Sequence, residues 1–376
     1  MNTGKDEDGR QPQRFGILAM GGVKTLKVRD DEAGMRVDRW FRQRFPSIGH
    51  SRVQKWLRTG QVRIDGGRVK ASARLQAGQQ VRVPPLGSLP TEPVRHKPKI
   101  SKADDRNLKA RVLHRDDDVL VIDKPAGLVV QGGNGLGKHL DAMLDALRFG
   151  ARECPRLVHR LDKDTSGVLV LARNGAAARK LTAAFRSKQA RKLYWAVVVG
   201  VPRSPEGIID LALAKRHGRG GEKVSAGVAG GKKALTRYRV IDRAGGKAAW
   251  VAFEPETGRT HQLRVHAVAM ETPILGDGKY GGREAFIAGE DISRRLHLHA
   301  KNLRIPHPAG GILEVSAPLP DHMRATFRTF GFDDRAGYAP TEIREATLCT
   351  ALAVVRDDRR ARRLACRRGY RNVDVG

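Results

Sequence analysis

Leu157-Val-His-Arg-Leu-Asp-Lys-Asp-Thr-Ser-Gly-Val-Leu-Val-Leu-Ala-Arg-Asn174 is the stretch on which the reading of this chain turns. It starts as a basic loop that sets Asp162 between Arg160 and Lys163, turns at Gly167, and continues into Val168 to Ala172, an apolar run of strand length. Two carboxylates, Asp162 and Asp164, therefore stand among cations beside a buried strand. A reactive site has that composition, and so does a structural loop knit by ion pairs.

Over 376 residues, 71 Lys and Arg face 40 Asp and Glu, a formal charge of +31. A compact body with that charge repels itself unless a polyanion supplies counter-charge, so nucleic acid is the first partner class to consider. With 40% hydrophobic residues the chain can build a core, and its length suggests two or three domains. Cys154, Cys349 and Cys366 are odd in number and far apart, which supports neither a disulfide framework nor a thiolate metal site and fits a reducing cytoplasm. Met1 to Arg14 has no apolar core of signal-peptide length, and no run of about 18 apolar residues occurs, so neither export nor a membrane span is expected.

Residues 1–24 are expected to be a disordered leader. From there Val37, Trp40, Phe41 and Phe45 recur at helical spacing, and Ser51 can cap a second helix carrying Val53, Trp56 and Leu57 and ending at Gly60. Val62 to Asp65, a turn at Gly66-Gly67, and Gln79 to Val83 read as strands closing a small domain over 25–84. Two short basic helices followed by a small sheet resemble the RNA-binding domain named after a small-subunit ribosomal protein, here S-four-like. That resemblance makes Arg39, Arg52, Lys55 and Arg58 candidate RNA contacts. The prolines between 84 and 98 mark a linker over 85–110.

A second domain is expected over 111–332. Val119 to Ile122, Val168 to Ala172, Lys192 to Gly200, Leu235 to Ile241 and Ala248 to Glu254 read as strands; Leu140 to Leu147, Ala176 to Ala190 and a stretch reaching Met270 read as helices. Leu211 to Lys233, rich in Gly and Lys, reads as a basic hairpin or loop, and 333–376 as a basic, disordered tail. Gly132 to Lys138 has phosphate-loop spacing, but His139 stands where a magnesium-binding hydroxyl is needed, so a plain glycine turn is preferred. His297 and His299 share one face of a strand and His261 and His266 lie nearby in the chain, but no further ligand at recognisable spacing accompanies them, so packing or hydrogen-bonding histidines are preferred to zinc.

Five motifs in order, His159 to Gly167, Lys192 to Ala196, Thr257 to His266, Gly276 to Gly281 and Leu296 to Ala300, resemble the ribosomal-RNA pseudouridine synthases of the RluA type. Within that family Val130 to Gly135 looks closest to the type C large-subunit enzymes. The resemblance implies an α+β catalytic domain built on a mixed, largely antiparallel sheet. It implies an isomerase that detaches uracil from ribose and rejoins it through carbon-5, a reaction needing no cofactor, nucleotide or metal. It makes Asp162 the catalytic carboxylate, Arg264 its guanidinium counter-ion, Tyr194 the ring against the target base, and Arg160 a contact to RNA near the emptied position. A cytoplasmic monomer acting on large-subunit ribosomal RNA is expected. A non-catalytic RNA-binding assembly factor, and type D or transfer-RNA specificity of the same enzyme class, are the alternatives.

Overall fold

The computed structural model describes residues 22–45, 48–86, 100–132, 139–218, 221–227, 230–335 and 353–355. The chain divides between Lys97 and Pro98 into two compact units. Residues 1–21 of the expected leader, 87–99 of the expected linker, 133–138 of the glycine turn, and nearly all of the tail lie outside the described residues, while Lys102–Lys109 of the expected linker are helical.

In the N-terminal unit, β1 (Lys24–Lys27) precedes α1 (Val37–Arg44) and α2 (His50–Arg58). Val37, Trp40 and Phe41 of α1 and Val53, Trp56 and Leu57 of α2 are buried in one cluster with Val62, Leu75 and Val81. The Trp40 ring meets Phe41 edge-on at 5.2 Å, so the helical spacing of the aromatics builds this core directly. Ser51 does not cap α2. The first helical hydrogen bonds close on the carbonyl of Gly49, one residue ahead of His50, which leaves Ser51 exposed inside the first turn. The sheet runs β1, β4 (Gln80–Val83), β2 (Arg63–Ile64), β3 (Gly67–Arg68). Its hairpin turns at Asp65-Gly66, both with positive φ, one residue earlier than expected.

The C-terminal unit opens with α3 (Lys102–Lys109) and continues as β5 (Val112–Arg115), β6 (Val119–Lys124), α4 (Leu140–Met143), β7 (Arg156–Leu157), β8 (Ser166–Ala172), α5 (Gly175–Arg186) and β9 (Arg191–Val199). Then follow β10 (Glu206–Asp210), the hairpin β11 (Leu213–Gly218) and β12 (Gly221–Ala226), β13 (Leu235–Ala244), β14 (Ala248–Pro255), α6 (Gln262–Ala269), β15 (Leu298–Pro306), β16 (Ile312–Ser316), α7 (Asp321–Phe330) and β17 (Ala353–Val355). Eleven strands share one sheet in the order β17, β10, β13, β14, β9, β15, β8, β6, β5, with β7 beside β8 and β16 beside β15. The β15–β8 and β10–β17 pairs are parallel and the rest antiparallel. The domain is therefore α+β on a largely antiparallel sheet, as the sequence implied.

The unbroken apolar runs have a simple cause, since both faces of the sheet are covered. Val168 and Val170 of β8 pack with Leu181 of α5, while Leu169 and Leu171 pack with Leu140 and Met143 of α4. Further along, Ala196 and Val198 of β9 meet Leu263 and Ala267 of α6, whereas Trp195 and Val197 meet Met323 and Phe327 of α7. Helix α5 stops at Arg186 rather than Ala190 because Lys188 takes a left-handed φ of 61° and Gln189 folds its N–H back to Ala184. Within the segment expected to be a disordered tail, Ala353–Val355, with two β-branched valines, adds a strand beside β10.

One buried charge anchors the N-terminal unit. Glu32, 1% exposed, accepts from Arg44 Nε at 2.7 Å and Nη2 at 2.8 Å, and from the Arg29 N–H at 3.0 Å. The Arg44 hydrogen bonds outweigh burial and draw the Glu32 pKa from 4.5 to about 2. With the folded pKa below the unfolded one, the carboxylate contributes about 3 kcal/mol that is complete above pH 5 and is lost as pH falls from about 4.5 towards 2. Glu32→Gln is expected to remove that much at pH 7. Hydrogen exchange of residues 22–86 in the full chain measures it, and should show little difference between variant and wild type near pH 2.

Candidate active site

The loop carrying Asp162 is fixed at both ends. On the approach, the His159 ring stacks on Phe185 at 4.4 Å and its Nε2 accepts the N–H of Val170 at 2.8 Å. Burial, and then the charge of Lys192, lower this imidazole to about 3, which keeps it neutral and able to accept. Lys124, at the end of β6, is fully buried and spends its three N–H bonds on the carbonyls of Pro125, Leu128 and Lys163 at 2.9, 3.0 and 2.9 Å. The Gly127 N–H reaches the same Lys163 carbonyl at 2.9 Å. The turn Asp123 to Gly127 thus clamps the backbone one residue beyond Asp162. Burial lowers Lys124 to about 8 although Asp164, Asp162 and Asp123 favour its charge.

Where the loop leaves into β8, Gly167 has φ 106° and a Cβ there would stand 2.2 Å from the Ala300 carbonyl oxygen, so only glycine lets β8 close on β15. Beside it the buried Ser166 Oγ and His299 Nδ1 lie 2.9 Å apart.

Asp162, its side chain 21% exposed, faces a cleft of about 120 Å³ that Arg160, Lys192, Tyr194, His261 and Arg264 also line. Four of the residues singled out in the sequence, Asp162, Tyr194, Arg264 and Arg160, thus share one site. Tyr194 stands on the α6 side of β9, and burial followed by the negative charge of Asp162 pushes its hydroxyl far above its ordinary pKa, so it stays protonated. Burial and then Lys188 bring Lys192 down to about 8. Arg160 is exposed at the rim.

Arg264 differs from expectation. Its guanidinium binds Asp277, not Asp162, through Nε to Oδ2 at 2.8 Å and Nη2 to Oδ1 at 2.6 Å. The physical reason is desolvation: the Asp277 carboxylate is fully buried and needs a partner, and the planar fork of arginine matches both of its oxygens. Burial works against the charge of Arg264, but Asp277 and, at longer range, Asp162 hold its pKa above the ordinary value.

Three residues at or behind the cleft carried no catalytic role in the sequence reading. Asp277 is one. His261 is the second, with Nε2 4.0 Å from Asp162 Oδ2 and Nδ1 2.6 Å from the Tyr280 hydroxyl, and Tyr280 is the third. All three stand inside quoted motifs, but a residue's burial and ring orientation are not visible in a motif.

Other candidates lie elsewhere. Arg39, Arg52, Lys55 and Arg58 are exposed on the helices of the N-terminal unit, with the Arg52 guanidinium over Trp56 at 5.2 Å. His297 is buried, with its Nε2 2.8 Å from the Thr326 hydroxyl, and His299 Nδ1 lies 2.9 Å from the Ser166 Oγ. No helix among the described residues is long and apolar enough to cross a membrane.

A family profile described as RNA pseudouridylate synthase matches residues 118–269. The relative named ribosomal large subunit pseudouridine synthase C in Vibrio cholerae serotype O1 is 39% identical over 306 residues, which span 80% of this chain and 95% of the relative. Its namesake in Escherichia coli strain K12 is 37% identical over 307 residues, with the same two coverages. The solved structure of human RNA pseudouridylate synthase domain containing 4 aligns with a TM-score of 0.51 at 30% identity, covering 60% of this chain and 95% of its own.

Breaking a buried ion pair from one side leaves an uncompensated charge. Asp277→Ala is expected to cost about 3–5 kcal/mol, read as a lower urea midpoint for the C-terminal unit in the full chain.

Proposed function

Because the chain belongs to the RNA pseudouridylate synthase family, we propose that it converts uridines of large-subunit ribosomal RNA to pseudouridine in the cleft that holds Asp162. It is a pseudouridine synthase, an isomerase. The ribosomal target rests on the relatives named for it, and the site assignment rests above all on the meeting of Asp162, Tyr194 and Arg264 around one cleft.

The reaction breaks the bond from ribose C1′ to N1, turns the base, forms the bond from C1′ to C5, releases the C5 proton and leaves N1 bearing a proton, so that no atom is gained or lost. Asp162 serves as the carboxylate at the anomeric centre. Arg264, held rigid by Asp277, supplies a fixed positive potential near it without lying on it. Tyr194 lays its ring against the uracil, and its protonated hydroxyl can donate a hydrogen bond while that base turns. Arg160, at the rim, fills part of the space the flipped nucleotide leaves, which offsets an unstacking cost of a few kcal/mol. Arg39, Arg52, Lys55 and Arg58 contact phosphates, in keeping with an S-four-like N-terminal unit.

Tritium release from ribosomal RNA labelled at uridine carbon-5 tests this reading. Wild type is expected to release it, and Asp162→Asn to fall by at least about 10³-fold. Full release by the variant would remove Asp162 from the chemistry. Mapping pseudouridines in cells lacking the protein identifies the target, and loss confined to transfer RNA would overturn the ribosomal assignment.

A further inference from the structure

His261 holds a backbone conformation that side-chain-bearing residues avoid, φ 53° and ψ 22°, immediately ahead of α6. Such a conformation is strained and persists where its surroundings impose it. The strain brings the ring between Tyr280 and Asp162, with Nδ1 2.6 Å from the tyrosine hydroxyl and Nε2 4.0 Å from the carboxylate.

The hydrogen bonds of Tyr280 determine which nitrogen of His261 bears the proton. The hydroxyl has two partners, the Val224 N–H at 3.2 Å and His261 Nδ1 at 2.6 Å. A backbone N–H can only donate, so at Val224 the hydroxyl is the acceptor. Among the described residues, His261 Nδ1 is the acceptor at hand for its own proton, and a ring that takes the proton there is unprotonated at that nitrogen. A neutral imidazole of that kind carries its hydrogen on Nε2, aimed at Asp162. Burial favours the neutral ring, lowering the His261 pKa although Asp162 supports the charge.

Val224 belongs to β12, and with Leu213 of β11 it packs on Val265 and Tyr280. The hairpin they form carries Lys215, Arg216 and Lys223. A continuous path therefore leads from a basic hairpin through one hydroxyl and one imidazole to the carboxylate.

We propose that Tyr280 and His261 are positioning residues: the Tyr280 hydroxyl, engaged by Val224 of the hairpin, fixes His261 as the tautomer whose Nε2–H orients Asp162, so that the seating of the hairpin on RNA is transmitted to the carboxylate. This rests on the reading of Asp162 given above. The 4.0 Å separation is about 1 Å longer than a hydrogen bond and closes when substrate fills the cleft.

The test compares Tyr280→Phe, which keeps the ring packing and removes the hydroxyl, with His261→Gln, whose amide can reach the Nε2 position, and with the double variant. Single-turnover tritium release from saturating ribosomal RNA is expected to fall about 10- to 100-fold in Tyr280→Phe, with the RNA Kd within about twofold. In the His261→Gln background the same change should add less than about twofold, because its effect runs through the imidazole. Wild-type rates in Tyr280→Phe, equal losses in both backgrounds, or a loss expressed through Kd would each overturn the relay. Imidazole nitrogen NMR of histidine-labelled wild type, assigned by His261→Gln, reads the tautomer independently of activity. A protonated Nε2 is expected, and a protonated Nδ1 overturns the proposal. If Asp162→Asn is inactive and Tyr280→Phe is fully active, the relay alone fails. If Asp162→Asn is active, the assignment of Asp162 fails, and the NMR result still decides the tautomer.

Discussion

The site depends on a short parallel contact, two residue pairs long, between β8 and β15. His299 lies opposite Ser166 and Ala300 opposite Gly167. On its other side Ala300 lies opposite Tyr194 of β9. Three residues in register, Gly167, Ala300 and Tyr194, therefore set how far the Asp162 loop stands from the tyrosine. A Cβ at 167 would have to displace the Ala300 carbonyl from 2.2 Å, and because the interior is close-packed, that displacement would widen the cleft as well as the sheet. Glycine here is a constraint on the spacing between two cleft side chains.

The same cleft separates two carboxylates by environment. Asp277 is wholly buried and gives both oxygens to Arg264 and one also to the Tyr280 N–H. Asp162 keeps part of its surface in the cleft, with His261 at 4.0 Å and Arg264 acting only through its charge. A carboxylate already satisfied by a guanidinium fork has little left to offer a substrate, and one held in place by its backbone has all of it. Lys124 does that holding. By satisfying three carbonyls with one ammonium it fixes the loop through main-chain atoms, leaving the Asp162 side chain uncommitted.

Legibility in the sequence followed what each feature depends on. Apolar runs and helical aromatic spacing depend on local pattern, so β8, β9, β14 and the helices of the N-terminal unit were readable, with errors of one to a few residues at caps and turns such as Gly49 and Lys188. Asp162, Tyr194 and Arg264 came from motif resemblance, which identifies residue types and leaves partners open. The partner of Arg264 was misread because burial, not spacing, makes Asp277 the carboxylate in need of it. His261 is legible in the sequence only as a packing or hydrogen-bonding histidine weighed against a metal ligand, because its left-handed backbone and ring orientation are not displayed by a run such as Thr-His-Gln-Leu-Arg.

The surplus of +31 charges is divided between exposed positions and a few buried, internally bonded ones. Among the described residues, the three buried cations Lys124, Arg173 and Arg264 are all hydrogen-bonded within the protein. Arg39, Arg52, Lys55, Arg58 and Arg160 are exposed. Exposed cations bind phosphate through interactions that salt screens over about 8–10 Å, whereas pairs buried in a low-dielectric interior are screened far less. On the proposed reading, ionic strength acts on how tightly the RNA is held and leaves the shape of the cleft untouched. On the relay proposed above, the hydrogen-bonded chain from Val224 through Tyr280 to His261, which ends 4.0 Å from Asp162, is then the means by which a salt-sensitive encounter acts on a salt-insensitive site.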